Sequence, residues 1–156
     1  MAYAQNTSVS VENSIMEIRR TVNRYGADGF SFTEEGRIAK VEFKCDGRTV
    51  RIFMKLPDKS EERFTLTETG RERTSENAVY AAWEQECRRS YRALNLVIKA
   101  KLEAVESGIT TFDEEFMAHI VLPNGRTVGQ QVLQPMQDAL LSGGALALTD
   151  GFGVQR

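Results

Sequence analysis

The stretch that most restricts the fold runs from residue 75 to residue 108, SENAVYAAWEQECRRSYRALNLVIKAKLEAVESG. Between Ala78 and Glu106 it contains no proline and no glycine, and strong helix formers dominate. Apolar side chains recur at steps of three and four, which places them on one helix face: Tyr80, Trp83, Cys87, Tyr91, Leu94, Ile98, Leu102 and Val105. With Ser75 as N-cap and Gly108 as the terminating residue, the sequence predicts one long helix.

The predicted helix also carries a second, weakly apolar face. Its members are mostly small: Ala82, Ala93, Leu96, Val97, Ala100 and Ala104. A helix that is apolar on two sides is either buried on both or packed against another copy. This pattern therefore predicts a homo-oligomer.

Cationic side chains occupy the remaining polar strip of this helix. We call four of them the basic ridge: Arg88, Arg89, Arg92 and Lys99. Cations at helical spacing can follow a nucleic-acid backbone, and Arg71 and Arg73, on a polar segment predicted to be flexible, can add to the same surface. The commoner alternative is a solvated face with i,i+4 pairs, here Glu84–Arg88 and Lys99–Glu103.

Chain length and composition predict one domain. The chain has 156 residues, of which 41% are hydrophobic and 27% charged, as is ordinary for a globular protein. We expect a flexible arm over residues 1–9, a single domain over residues 10–142 and a tail rich in small residues over residues 143–156. The net charge is −2, so any nucleic-acid binding must come from local patches.

The region before the long helix indicates a helix followed by a sheet. Ser10 caps a predicted helix that ends at Gly26, and Phe30 and Phe32 alternate with polar residues as in a strand. Next comes RIAKVEFKC-DG-RTVRIFMKL, in which Asp46-Gly47 favours a type I′ turn. That turn sets Phe43 opposite Val50, Val41 opposite Ile52 and Glu42 opposite Arg51, so one face of the hairpin is apolar.

Several weaker signals complete the prediction. Phe53 falls on the polar face of the hairpin, as a stacking platform or, more commonly, as an aromatic covered by another element. Residues 63–66 resemble a fourth strand. Thr111 and Glu114 form a capping-box pattern, and Thr127 caps a last helix that contains Pro135 and ends at Gly143-Gly144.

No sequence motif points to a reaction. There is no GxxxxGK[ST], no GxGxxG after a strand, no CxxC pair and no GxSxG. Glu115 and His119 have the i,i+4 spacing of metal ligands, but two ligands are not a site, and a structural histidine is commoner. We therefore predict no catalytic residue, no metal and no cofactor.

The sequence also predicts a cytoplasmic location. Cys45 and Cys87 fall at predicted core positions, which suits a reducing compartment. The N-terminus lacks the pattern of a signal peptide, and no apolar run reaches membrane-spanning length.

Parts of the chain resemble a group of small proteins encoded by phages and prophages. The resemblance lies in SVSVENSIMEIRRTVNRYGADGF, in the DG hairpin and in WEQECRRSYRALNLVIKAKLEAVESGITTFDEEFMAHIVLPNGRTV. It implies a phage-derived protein that acts in the host cytoplasm, in phage DNA metabolism or against host defences. A hairpin sheet under a long helix is also similar to the core of phage single-strand annealing proteins, as a fold-level analogy.

Together these patterns predict an α+β fold: an N-terminal helix, an antiparallel sheet of three or four strands, the long helix packed on it, and two short C-terminal helices. The leading hypothesis is a non-enzymatic, oligomeric accessory protein that binds nucleic acid largely independently of sequence. The alternative is an interaction module that inhibits a host defence or polymerase complex.

Overall fold

The computed structural model describes residues 7–147 and confirms the predicted α+β class. The elements follow one another as helix α1 (Val11–Arg24), strands β1 (Gly29–Glu35), β2 (Ile38–Cys45) and β3 (Arg48–Lys55), helices α2 (Glu62–Thr65), α3 (Glu76–Glu106) and α4 (Phe112–Phe116), a 3-10 turn (Met117–His119), and helix α5 (Val128–Ser142). The three strands form one antiparallel sheet in the order β1-β2-β3.

The hairpin of β2 and β3 has the register that its turn predicts. Phe43 lies opposite Val50, and Glu42 lies opposite Arg51. Asp46 and Gly47 both have positive φ, 52° and 71°, as a type I′ turn requires. Turn chemistry and hydrophobic alternation therefore agree, and the apolar side chains of both strands share one face.

The hydrophobic core lies between that face of the sheet and helices α1 and α3. Its central residues include Val41 and Phe43 from the sheet, Ile18 from α1 and Ile98 from α3. Phe116 of α4 closes one end of the core, edge-on to Phe43 with ring centroids 5.8 Å apart. The core is thus made by elements far apart in the chain, with α3 as the element that crosses it.

Helix α3 begins and ends at the predicted residues. The Ser75 hydroxyl accepts a hydrogen bond from the Ala78 N–H at 3.2 Å, and Gly108 has a φ of 70° just beyond the C-cap. Cys87 and Cys45 are buried free thiols, as their positions predicted. The capping boxes at Thr111 and Thr127 are also formed.

Two local predictions were wrong, and the alternatives left open for Phe53 are narrowed. Residues 63–66 do not form a strand: α2 covers Glu62–Thr65, because Phe64 is buried from a single helical turn. Phe53 is 46% exposed, which agrees with the less common of its two alternatives, an exposed ring on the polar face of the hairpin. Glu103 does not pair with Lys99 but accepts a hydrogen bond from the Tyr25 hydroxyl at the end of α1.

The predicted arm and tail are only partly described. Within the arm, the Gln85 side chain donates to the Thr7 carbonyl at 2.9 Å, so residue 7 contacts α3. Residues 1–6 and residues 148–156 lie outside the described part of the chain.

Candidate functional site

Most of the basic ridge is paired with carboxylates of the same chain. Arg88 lies 3.2 Å from Glu84, Arg89 pairs with Glu86, and Arg92 pairs with a carboxylate of α1, Glu17. Each of the three arginine side chains is about two-thirds buried or more. Three of the four cations are therefore locally compensated, which lowers the charge that a phosphate would meet.

Lys99 is the exception on this helix. It is exposed, and within residues 7–147 its ammonium takes part in no ion pair. It lies eleven residues beyond Arg88, or roughly 16 Å along the helix axis. The ridge thus offers one unpaired cation at one end and a neutralised cluster at the other.

Arg71 and Arg73 belong to a hydrogen-bonded turn rather than to a flexible loop. The Thr67 N–H donates to the Arg71 carbonyl, and the Arg73 N–H donates to the Thr65 carbonyl, both at 2.7 Å. Arg73 lines an open groove of about 560 Å³ at the start of α3, together with Lys59 and Tyr80. Tyr80, the lining residue nearest to Arg88 along α3, lies eight residues before it, or roughly 12 Å along the helix axis, so Arg73 is separated from the basic ridge.

Tyr80, which lines the groove, shares a cation with its neighbour Trp83. The Lys59 ammonium lies 4.3 Å from the centre of the Trp83 ring and 5.0 Å from that of Tyr80. The Trp83 indole N–H donates to the Pro57 carbonyl at 2.9 Å, which fixes the ring. The groove wall is therefore stabilised by its own cation–π contacts.

Glu115 and His119, the pair with metal-ligand spacing, have other surroundings in the structure. The Glu115 carboxylate accepts from the Lys101 ammonium at 2.8 Å. Burial lowers the pKa of His119, with the charge of Lys101 as a second cause, and both favour the neutral imidazole. In the described part of the chain, no three His, Cys, Asp or Glu side chains come together as a metal site.

The sequence reasoning missed a large exposed apolar surface on α5. We call Leu133, Met136, Leu140 and Leu141 the α5 surface; Leu140 is 76% and Leu141 89% exposed. None of the fifteen residues of α5 is buried. A helical apolar stripe normally predicts burial, so no sequence signal indicated that this stripe is exposed.

Helix α5 is anchored through its first turn. Thr127 is buried and caps the helix, and the Val128 N–H donates to the Ile120 carbonyl at 2.9 Å. A Cβ on Gly129 would lie 2.8 Å from the Ala118 carbonyl oxygen, so only glycine permits this close approach. The start of α5 is therefore fixed against the 3-10 turn, and its later turns carry the exposed leucines.

Comparison with known proteins gives no functional guide. No family model matches the chain, and neither the curated proteins nor the solved structures contain a significant match. Within residues 7–147, no helix combines the length and the apolar character needed to cross a bilayer.

Proposed function

We propose that this chain is a non-enzymatic interaction protein that self-associates through the α5 surface. The observation that carries the proposal is a fifteen-residue helix with no buried residue and with leucines up to 89% exposed. Contiguous exposed apolar side chains mark protein interfaces in folded chains. The lack of any catalytic motif in the sequence supports the non-enzymatic part of the proposal.

The chemistry of α5 favours a second copy of the same chain as its partner. Leu133, Met136 and Leu140 follow the three-and-four spacing of a helix-pairing seam. Asp138 is the only charged residue in the helix, and its polar residues are mostly glutamines. A two-fold pair brings the same surface of both copies together, which suits an uncharged surface because no like charges accumulate.

The second apolar face of α3 supports self-association as well. Val97 is 48% exposed, and Ala93 and Ala100 beside it are exposed too. The sequence predicted an oligomer from this face, and it remains open in the single chain. A partner copy that covers α5 and reaches α3 would bury both surfaces.

The test is the molar mass of the purified chain, measured by sedimentation over a wide concentration range. A Leu140→Gln substitution removes a leucine that is 76% exposed, and in a two-fold dimer it does so twice. At about 1.5–3 kcal/mol per buried leucine, the dimer loses roughly 2–5 kcal/mol. Its dissociation constant should then rise by about 30-fold to several thousand-fold.

Ile109→Gln is the matched control, because Ile109 is 80% exposed but lies outside α5. This variant should self-associate as the unsubstituted chain does. A wild-type chain that stays monomeric at every concentration refutes self-association. In that case the α5 surface would bind a different protein, as expected of a chain that inhibits a host defence or polymerase complex.

Nucleic-acid binding through the basic ridge stays a prediction. Lys99 favours it as an exposed cation without an ion pair in residues 7–147, whereas Arg88 and Arg92 would have to exchange a carboxylate for a phosphate. Replacing Arg88, Arg92 and Lys99 together by alanine should weaken binding and flatten its salt dependence if the ridge is the site. Unchanged affinity in this triple variant would remove the assignment.

The cellular setting is also part of the proposal. Two buried free thiols support a reducing cytoplasm, and the phage origin rests on the resemblance of the sequence alone.

A further inference from the structure

The sheet has an outer face that no helix of the described chain packs against. Helices α1 and α3 cover the apolar inner face, and the segment after α4 joins the edge of β3 through a bridge between Val50 and Ile120. Strand pairing aligns the outward residues in rows across β1, β2 and β3: Glu35–Ile38–Lys55, Thr33–Lys40–Phe53, Ser31–Glu42–Arg51 and Gly29–Lys44–Thr49. Successive rows are roughly 7 Å apart.

One aromatic ring stands among cations on this face. Phe53 is 46% exposed, lies directly across from Lys40 and is two residues from Lys55 on the same strand. Exposure of an apolar phenylalanine ring to water is unfavourable, so a ligand that covers the ring gains free energy. Its position beside two lysines gives a flat apolar platform with positive charge on two sides.

The lysines of this face differ from the arginines of the basic ridge in having no carboxylate partner among the described residues. In residues 7–147, the ammonium groups of Lys40, Lys44 and Lys55 take part in no ion pair. Only Arg51 is compensated, by Glu42 at 2.7 Å, and its guanidinium also donates to the Gly125 carbonyl at 2.8 Å. The face therefore keeps three cations available to an anionic ligand.

We infer that this outer face binds single-stranded nucleic acid. The Phe53 ring stacks on a base, and Lys40, Lys44 and Lys55 contact the phosphates on either side. Stacking requires a base that is free of its complementary strand, because a paired base is enclosed by its neighbours in the duplex. Stacking on a ring and contacts with phosphates carry no base-edge readout, so we expect binding to be largely independent of sequence.

The test uses the full chain with a fluorescently labelled oligothymidylate and with a duplex of the same length, at several salt concentrations. The expected result is binding to the single strand that weakens steeply with salt, together with weaker binding to the duplex. Absence of binding to the single strand at low salt overturns the inference. So does a preference for the duplex.

Two variants locate the site. Phe53→Leu keeps an apolar strand residue but removes the ring, and affinity should fall by roughly 5-fold to 100-fold. The double variant Lys40→Gln with Lys55→Gln should lower the slope of log affinity against log salt by about 1.4, since each phosphate contact on a single strand contributes about 0.7. Both changes lie on a solvent-exposed face, and circular dichroism checks that the fold persists.

The double variant Arg19→Gln with Arg20→Gln is the matched control, because it removes two exposed cations from α1 and leaves the sheet intact. Its affinity and salt slope should equal those of the unsubstituted chain. The triple variant of Arg88, Arg92 and Lys99 separates the two candidate surfaces: if it loses binding while Phe53→Leu retains it, the outer face is not the site. Leu140→Gln should keep its affinity per chain, so failure of self-association and failure of the sheet site are distinguishable.

Discussion

Glu17 is the residue whose removal tests the packing of α1 on α3 most directly. Its carboxylate accepts from the Asn95 amide at 2.6 Å and from the Arg92 guanidinium. Asn95 is only 4% exposed, and its side-chain oxygen has no hydrogen-bond partner within the described residues. Replacing Glu17 by alanine would therefore leave a buried amide without its only side-chain partner.

The size of the effect follows from burial. A buried polar group that loses its partner costs about 1–3 kcal/mol. The Glu17 side chain is 43% exposed, so water weakens its ion pair with Arg92. Loss of that ion pair therefore adds only about 0.5 kcal/mol to the cost. The free energy of unfolding should fall by about 2 kcal/mol, which lowers Tm by roughly 4–8 °C for a chain of this length.

Urea unfolding followed by Trp83 fluorescence, with a thermal melt alongside, measures this change. Glu12→Ala is the control, because Glu12 lies on the same helix and makes no ion pair within residues 7–147; it should cost less than about 1 kcal/mol. Adding Asn95→Leu to Glu17→Ala should recover stability, because both polar partners are then removed. A Glu17→Ala variant within about 0.5 kcal/mol of the unsubstituted chain would refute the reasoning.

Two further outcomes follow from the packing. Gly129→Ala should destabilise the start of α5 by about 1–3 kcal/mol, because the new Cβ meets the Ala118 carbonyl oxygen. The expected results are a lower Tm and faster amide exchange in α5. Unchanged exchange would contradict this close approach. Burial raises the pKa of the Cys87 thiol from 9.0 to about 11. Below pH 9 the thiol is neutral in both states, and from pH 9 to 11 only the unfolded chain ionises, so stability should drop by roughly 2–3 kcal/mol. The free energy of unfolding, measured by urea titration, should fall less between pH 8 and pH 11 in Cys87→Ala than in the unsubstituted chain. An equal fall in both chains would contradict a role of the Cys87 thiol.

The candidate surfaces were only partly predictable from sequence. The positions of Arg88 and Arg92 on one strip of α3 follow from helical spacing, but the partner of Arg92 is Glu17, 75 residues away, which no local pattern indicates. The choice between an exposed and a covered Phe53 was left open for the same reason. Covering or exposing a side chain depends on where other elements pack, and periodicity carries no information about that.

The fourth strand shows a limit of short patterns. Residues 63–66 alternate in polarity as a strand does, yet one helical turn buries Phe64 equally well. Four residues are too few to separate a period of two from a period of 3.6, so tertiary packing selected the helix.

The features set by the sequence alone are those that depend on neighbouring residues. The long helix, its cap at Ser75, the Asp46-Gly47 turn and the hairpin register arise from backbone preferences and from contacts a few residues apart. The features set by the tertiary structure concern surfaces: the neutralised ridge, the open outer face of the sheet and the uncovered leucines of α5. A side chain's charge and accessibility are properties of everything that surrounds it, and those surroundings exist only once the chain has folded.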